Sequence, residues 1–282
     1  MADLPNIATI ASLTHRDPWR FTGLRARNSH IFYWITRGQG RISIGARTRA
    51  YGPNMLLFVP CGAPHALTLG AQPQGYGAIL PSNISLPLPD GPVRIRAGNI
   101  IEQGTLTGFF EHLAQESEAT DAARELAITS QLTLLSVWIA RHQEKNDWPG
   151  GPEPKRAMAH SEIFLKSLED HYATDTTVAA HAARLRLSDV QLNRVCQKIF
   201  QKTAGDMIFD RRILAVKCAL ADTTLPIGAI AKGLGFSSPA NLTRAFRRAT
   251  AMTPRAFRDP DRSATATRKY IGFSRQTGPG HG

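Results

Sequence analysis

The chain has 282 residues and carries 34 Lys and Arg against 22 Asp and Glu, a formal net charge of +12. Its length allows two domains of ordinary size, each with a core of its own. The excess charge lies in the second half, because residues 1–150 hold 13 basic against 11 acidic side chains and residues 151–282 hold 21 against 11. Such asymmetry is typical of a protein that binds nucleic acid or an anionic membrane surface, and a solvated basic face is the alternative.

The cysteines and the hydropathy exclude several other classes of protein. Cys61, Cys196 and Cys218 are far apart and in no CxxC spacing, so neither a disulfide framework nor a zinc site is predicted. The N-terminus has no continuous apolar run of the kind found in a secretory signal. Residues 50–89 lack charged side chains, but their frequent prolines and glycines exclude a membrane-spanning helix. We therefore expect a cytoplasmic protein with no membrane partner.

The first hundred residues have the pattern of short strands. The stretch IFYWITRGQGRISIG (31–45) is aromatic and β-branched around a glycine turn, and further apolar runs follow between turns at 52–53 and 60–64. Short strands at such intervals indicate a small barrel or sandwich, which we assign to residues 1–104.

A helical period replaces this pattern over residues 105–147. Leu126, Leu132 and Leu135 recur there among polar residues and alanines. These helices are expected either to cover the barrel or to form the interface of a homodimer. Residues 148–156 follow with several prolines and glycines, and we interpret them as a linker.

After the linker the chain is helical and repeats itself. SDVQLNRVC (188–196) aligns with SPANLTRAF (238–246), and VAAHAARLRLS (178–188) aligns with IGAIAKGLGFS (227–237), at offsets of about fifty residues. Each copy places a small residue, Ala182 or Ala231, where two short helices meet at a tight turn. Gly235 turns the second copy without steric cost, whereas the first copy has Arg186 at that position. The sequence therefore predicts two helix-turn-helix units.

In this motif the second helix lies in the major groove, where its first residues face base edges and flanking basic groups hold phosphates. We expect Ser188 and Ser237 or Ser238 at the starts of the two recognition helices. The side chains expected to face bases are Asn193, Arg194, Thr243 and Arg244. Those expected to contact phosphate or lie in solvent are Lys198, Lys202, Arg247 and Arg248.

Residues from about 161 to 258 resemble the DNA-binding domain of the AraC/XylS family of bacterial transcription regulators. The most specific pieces are IAKGLGFSS, LTRAFRRAT and TPRAFR, and RRILAVKCAL stands where the family has a long helix between two helix-turn-helix units. The resemblance implies that Val190, Asn193, Arg194 and Arg244 face bases, and we include the neighbouring Gln191 in the DNA-binding set.

Two departures from the family pattern concern the recognition helices. Gln201 and Ala251 stand where the family usually has a glycine after each of these helices, and a left-handed backbone there costs more without glycine. The first unit also has Cys196 in place of the usual phenylalanine.

The resemblance further implies a cupin-like barrel that binds a small effector. PCGAPH (60–65) matches a Pro-x-Gly-x-x-His motif of cupins, but the HxH motif expected near His30 is missing, so we predict no metal and no cofactor. Candidate effector-binding residues are His30, Tyr33, Trp34 and His65, each of which also fits a purely structural role. The predicted fold class is thus α+β, with this barrel, a helical region and an all-α domain at residues 157–258.

We expect a ligand-responsive transcription regulator and not an enzyme. Its expected partners are double-stranded DNA, a small organic effector such as an aromatic acid, a second copy of the chain, and RNA polymerase; activation and repression both stay open. A metal-dependent cupin enzyme with a DNA-binding appendage is the main alternative, and it requires a ligand cluster that the sequence lacks. An architectural DNA binder without a ligand is disfavoured by the long apolar N-terminal half. Residues 259–282 have the composition of a disordered tail.

Overall fold

Eight strands, numbered β1 to β8, form two separate antiparallel sheets in the computed structural model, which describes residues 5–14, 17–120, 122–148 and 155–258. They are β1 (Asn6–Thr9), β2 (Ser29–Arg37), β3 (Gly40–Ile44), β4 (Arg47–Tyr51), β5 (Met55–Val59), β6 (His65–Leu69), β7 (Gln74–Pro81) and β8 (Val93–Arg96). One sheet has the order β1-β7-β2-β5-β8, and the other has the order β4-β3-β6. The expected tail, 259–282, lies outside the described residues.

The chain passes from one sheet to the other between β4 and β5. Pro53 has no N–H with which to continue a ladder, and Asn54 has a left-handed backbone with φ 57°. As a result β5 pairs with β2 and β8 instead of with β4. In the described part of the chain the two sheets stay separate, with apolar side chains from both between them, so strand pairing does not close the expected cupin-like barrel. The arrangement is the sandwich that the strand pattern also allows.

Strand β2 lies in the middle of the five-stranded sheet and is buried on both faces. Tyr33 and Ile35 pack against residues of the three-stranded sheet in an inner cluster. Phe32 and Trp34 point to the opposite face and pack in an outer cluster beneath helices. Because such a strand is an unbroken apolar run, its sequence does not say which residues share a face with which neighbours.

Eleven α-helices are present in the described residues, with one 3-10 turn at Gln143–Lys145. They are α1 (Ile10–Thr14), α2 (Trp19–Thr22), α3 (Ile100–Glu118), α4 (Arg124–Arg141), α5 (Lys155–His171), α6 (Val178–Arg184), α7 (Asp189–Phe200), α8 (Ala204–Asp222), α9 (Ile227–Gly233), α10 (Pro239–Thr250) and α11 (Pro254–Phe257). None of them is long and apolar enough to cross a bilayer.

Helices α3 and α4 cover the outer face of the five-stranded sheet. Asn99 caps α3 by accepting a hydrogen bond from the backbone N–H of Glu102 at 2.9 Å. Leu132 and Leu135 are fully buried against the sheet, whereas Leu126 is 66% exposed. Two of the three leucines expected in this region are thus core residues, and Leu126 is left on the outer face of α4.

The expected linker, 148–156, is shorter than the sequence suggests. Trp148 is buried in the inner cluster of the sheets, and Lys155 is already the first residue of α5. Residues 149–154 lie outside the described part of the chain. Trp148 is buried because a large aromatic ring gains much free energy when it is removed from water.

The C-terminal helices pack along α8 in two groups. Met207 and Ile208 in its first half share a cluster with α5, α6 and α7. Ile213, Val216 and Leu220 in its second half share a cluster with α9, α10 and α11. Helix α8 is therefore a common core element of both repeats.

Residues 17–28, which we call the bridging segment, connect the sheets to α8. The guanidinium group of Arg20 donates to both carboxylate oxygens of Asp222, at 3.2 and 2.7 Å. The rings of Trp19 and Phe257 have centroids 5.8 Å apart. At Gly23 a Cβ atom would lie 2.5 Å from a methyl carbon of Leu214, so a larger residue there requires the Leu214 side chain to move. The two halves of the chain are thus in direct contact.

Candidate nucleic-acid interface

The first recognition helix, α7, begins with a capping box. The Ser188 hydroxyl accepts from the backbone N–H of Gln191 at 3.3 Å, and the Gln191 side-chain oxygen accepts from the backbone N–H of Ser188 at 2.9 Å. This reciprocal pair satisfies two donors at the helix start. Both residues lie where the sequence places them, at the N-terminus of α7, but their side-chain oxygens are engaged in the cap.

One exposed face of α7 carries the remaining candidates. Val190 is 74% exposed, and Arg194 and Lys198 follow it at intervals of four residues on the same side of the helix. Asn193 differs from them, because its Oδ1 accepts from the backbone N–H of Ala204 at 2.9 Å. Its amide oxygen therefore fastens α7 to the start of α8, a structural role that the sequence did not reveal.

The second recognition helix, α10, has a related but more polar start. The Ser238 hydroxyl caps it by accepting from the backbone N–H of Asn241 at 3.1 Å. The Asn241 side chain donates to the exposed Ser237 hydroxyl and accepts from the guanidinium group of Arg244. Asn241 thus holds the Arg244 side chain, and sequence reasoning missed it. Its spacing of three residues from Arg244, one helical turn, was the available signal.

The other candidates of α10, together with Lys202 after α7, have different surroundings. The Thr243 hydroxyl donates to the carbonyl oxygen of Pro239 at 2.9 Å within the same helix. Arg247 is exposed, whereas the Arg248 guanidinium lies 4.5 Å from the ring centroid of Phe209 on α8. Lys202, after α7, forms an ion pair with Asp210 at 2.6 Å. Arg244, Arg247 and Arg248 are thus all exposed cations of this helix, and Arg248 also lies over a ring of α8.

Residues with left-handed backbone angles lie in the turn of each unit and directly after each recognition helix. Arg186 has φ 55° in the turn of the first unit, and Gly235 has φ 68° at the matching position of the second. Gln201 and Ala251, after the recognition helices, have φ 56° and 58°. The backbone therefore adopts the geometry that glycine favours at all four positions, although glycine occupies only one of them.

Two adjacent arginines of α8 connect the units. Arg211 donates twice to the carboxylate of Glu169 on α5, at 2.8 and 2.9 Å, and lies over the ring of Tyr172. Arg212 donates twice to the carbonyl oxygen of Leu234 at the end of α9, at 3.2 and 2.9 Å. One arginine thus contacts the first unit and the other contacts the second, which fixes both units to the same helix.

The four expected effector residues do not form one site. Trp34 faces the outer cluster, where its Nε1 donates to the Thr107 hydroxyl at 3.1 Å. His30 stacks on Phe58 of the same cluster, and its Nδ1 accepts from the backbone N–H of Cys61. Tyr33 belongs to the inner cluster between the sheets. Tyr33 is separated from His30 and Trp34 because successive residues of β2 lie on opposite faces of the sheet.

His65 and Tyr33 are both deeply buried, with 2% and 1% of their surfaces exposed. Burial, together with the positive charges of Arg27 and Arg25, lowers the pKa of His65 to about 3, although its hydrogen bond to Ala63 opposes the shift. Burial raises the pKa of Tyr33, and the same two arginines oppose that change. At neutral pH both side chains are therefore uncharged.

Metal-ligand clusters are missing from the described residues, where no three His, Cys, Asp or Glu side chains are grouped. Burial raises the pKa of Cys196 to about 12, which makes it an inert thiol at neutral pH.

The C-terminal half matches a known family and a known regulator in sequence. A helix-turn-helix domain family matches residues 181–260. The regulatory protein SoxS of Escherichia coli strain K12 is 30% identical over 104 residues, which are 36% of this chain and 97% of SoxS. Among solved structures, the C-terminal domain of the response regulator YesN from Fusobacterium nucleatum covers 36% of this chain and 99% of its own, with 24% identity and a TM-score of 0.34. Fatty acid-bound ToxT from Vibrio cholerae covers 90% of this chain and 94% of its own, with 12% identity and a TM-score of 0.44.

The paired helix-turn-helix units, with a basic exposed face on each recognition helix, define a DNA-binding transcription regulator. The match to SoxS covers nearly the whole of that protein at 30% identity, and it shows to which family of regulators the chain belongs. The chain belongs to the AraC/XylS family of bacterial transcription regulators.

Proposed function

We propose that this regulator reads two unlike DNA boxes in tandem and that its N-terminal half adjusts this reading in response to a small organic effector. Arg194 and Val190 of α7 read one box, and Arg244, held by Asn241, reads the other. Arginine is the commonest specific reader of guanine in the major groove. Because the target is chromosomal DNA, we place this work in the cytoplasm, at the nucleoid.

The attachment of both units to α8 is the observation that carries the tandem reading. Arg211 binds Glu169 in the first unit, and Arg212 binds Leu234 in the second. With 19 residues, α8 has a length of about 28 Å. A spacer fixed at both ends sets the separation of the recognition helices, so the two boxes have to lie about one turn of DNA, roughly 10 base pairs, apart.

Footprinting of the full chain on its preferred site tests this spacing. Inserting five base pairs between the boxes rotates one box to the opposite face of DNA, and we expect the affinity to fall to that of a single box. Inserting ten base pairs is the control for added length. Affinity that is unchanged by the five-base-pair insertion would mean that one unit binds alone.

For the N-terminal half, we propose an aromatic acid as effector and α4 as the seam of a homodimer. Leu126, Leu134 and Val137 are exposed on α4, and such apolar side chains favour burial in a partner. Sedimentation of the protein with Leu134→Glu tests the seam, with Leu225→Glu as the matched control on another exposed leucine. A dimer that survives Leu134→Glu excludes α4 as the interface.

A further inference from the structure

Buried polar atoms without partners collect where the bridging segment meets the inner cluster. They are Arg27 Nε, Tyr33 Oη and His65 Nε2, each removed from solvent and without a hydrogen bond. Buried polar groups in native proteins nearly always have partners, and each one left alone destabilises the fold. Several such atoms in one place indicate a binding site for a polar group.

These atoms belong to one electrostatic cluster. The charge of Arg27 acts on the pKa of both Tyr33 and His65, and the charge of Arg25 acts on all three of the others. Arg25 also pairs with His65 through two backbone hydrogen bonds at 3.0 and 3.3 Å. We call Arg25, Arg27, Tyr33 and His65 the arginine cluster. Its side chains come from the bridging segment and from both sheets.

The cluster is a positively charged place inside the protein. Burial and the charge of Arg25 lower the pKa of Arg27 to about 10, so Arg27 stays protonated at neutral pH at a cost in free energy. Arg27 has contacts with the Arg20 carbonyl oxygen and the Phe21 ring, but within the described residues no carboxylate lies within ion-pair distance of it. Arg20, by contrast, is neutralised by Asp17 and Asp222. Arg27 is half-buried and its Nε atom is removed from solvent, so a nearby anion would stabilise its charge.

The hydrogen-bonding groups of the cluster determine which donors and acceptors a ligand must have, in addition to its charge. His65 Nδ1 lies 3.0 Å from the Ala63 carbonyl oxygen, which only accepts, so Nδ1 carries the proton and Nε2 accepts. Arg27 Nε–H only donates, and the Tyr33 hydroxyl does either. The complementary ligand therefore has an acceptor that is negatively charged and, close to it, a hydrogen-bond donor.

We propose that the arginine cluster binds the carboxylate of a small hydroxy acid, with the carboxylate on Arg27 and Tyr33 and the hydroxyl donating to His65. This inference rests on the proposal that the N-terminal half senses an acid as effector, and it adds a hydroxyl group close to the carboxylate as the second feature that the site recognises. The aliphatic and aromatic probes below test whether an aromatic ring is needed as well. The site also adjoins the DNA-binding half, because the Arg25 guanidinium donates to Cys218 on α8.

Thermal unfolding of the full chain with two matched series of probes tests the proposal. The first series is propanoate, lactate and lactamide, and the second is benzoate, salicylate and salicylamide, all at constant ionic strength. In at least one series we expect the hydroxy acid to raise Tm by about 2 °C or more, the plain acid to raise it less, and the neutral amide to leave it unchanged. Equal shifts with sodium phosphate would overturn the carboxylate assignment, as would an amide that acts like its acid.

Variants separate a binding role from a structural one. Tyr33→Phe removes a hydroxyl that has no partner, so the Tm without ligand is expected to stay the same or rise, while the hydroxy acid binds about tenfold more weakly. Arg27→Gln is expected to abolish the shift. Arg41→Gln, which changes an exposed arginine of β3, is the control and keeps the full shift. If wild type and Arg27→Gln respond alike in both series, the site does not exist.

DNA binding measured on the same samples separates this proposal from the one on which it rests. A wild-type protein that binds its DNA site and responds to another class of small molecule, but not to either acid series, retains its regulatory function and refutes the arginine cluster as the effector site.

Discussion

The two helix-turn-helix units have the same arrangement of helices and turns, but different side chains fill their interiors. In the first unit the Ser167 hydroxyl contacts Nδ1 of the buried His181 at 2.9 Å. At the matching positions, 49 residues further on, the second unit has Val216 and Ile230 in an apolar cluster. The second unit is thus a hydrophobic core of ordinary type, whereas the first depends on a hydrogen-bonded polar pair.

The same contrast recurs at a second pair of matching buried positions, on the recognition helices. Cys196 of the first unit and Phe246 of the second are both fully buried at equivalent positions of the recognition helices. Phe246 packs edge to face on Phe257, with ring centroids 5.3 Å apart. Repeated units therefore preserve the positions that must be filled and the backbone angles, while volume and polarity vary between copies.

Truncation of Phe246 and of Cys196 is expected to destabilise the two units to very different extents. Phe246→Ala should lower the free energy of unfolding by about 3–5 kcal/mol, because it leaves a large cavity. Cys196→Ala removes a single heavy atom and should cost about 1 kcal/mol. Urea titration of the full chain measures both. Similar losses for the two variants would mean that the second unit collapses around its cavity.

The arginines that face DNA provide the next largest effect. Arg194→Ala and Arg244→Ala should each remove about 1–3 kcal/mol of discrimination, at base pairs of different boxes. Asn241→Ala should act like a weaker Arg244→Ala, since Asn241 holds that guanidinium. Arg247→Ala is the control for a phosphate contact and should weaken binding to all sequences alike. Binding curves on single-base variants of the site distinguish these outcomes, and a uniform loss in all four variants would contradict base reading by Arg194 and Arg244.

Substitutions at the matching turn positions of the two units are expected to change stability in opposite directions. Gly235→Ala places a Cβ 2.3 Å from the Ala173 carbonyl oxygen at a positive φ, and we expect a loss of about 1–2 kcal/mol or more. Arg186→Gly removes the strain of a non-glycine residue at φ 55° and should stabilise the first unit by about 1 kcal/mol. Thermal unfolding of the two single variants reports both signs. A stabilising Gly235→Ala would show that the turn can shift.

The smallest expected effect concerns pH and only the first unit. Burial lowers the pKa of His181, although its bond to the Asp175 carbonyl oxygen opposes the shift. A histidine with a lowered folded pKa contributes stability above its unfolded pKa of about 6.5, and this contribution is lost as the pH falls below that value. Compared with wild type, His181→Gln should therefore lose less stability between pH 7 and pH 5.5. Parallel pH profiles of Tm for the two proteins would contradict this origin of the acid sensitivity.

The sequence predicts the C-terminal half far better than the N-terminal half, for physical reasons. A helical repeat places Ala182 and Ala231, the caps at Ser188 and Ser238, and the left-handed positions at fixed spacings, so local chemistry defines the motif. The strands of the N-terminal half pair over long distances, and the choice between a closed barrel and two sheets depended on the turn at Pro53 and Asn54. Tyr33 and Trp34, neighbours in sequence, lie on opposite faces because side chains alternate along a strand, and the sequence does not say which face meets the second sheet.

Some site residues carried no readable signal. Arg27 is one of many arginines in the sequence, and only its burial beside Tyr33 and His65 makes it a candidate. The oxygen of Asn193, predicted to face bases, bonds to the start of α8. Such assignments depend on contacts between elements, which the order of residues alone does not contain.

The ion pair between Arg20 and Asp222 has a thermodynamic consequence for the whole regulator. The bridging segment lies between the sheets and α8, so an effector that moved α8 through this segment would change the free energy of DNA binding. Linkage requires that DNA change the free energy of ligand binding by the same amount and with the same sign. A promoter is then an effector in its own right, and the apparent affinity for the small molecule depends on which operator the protein occupies.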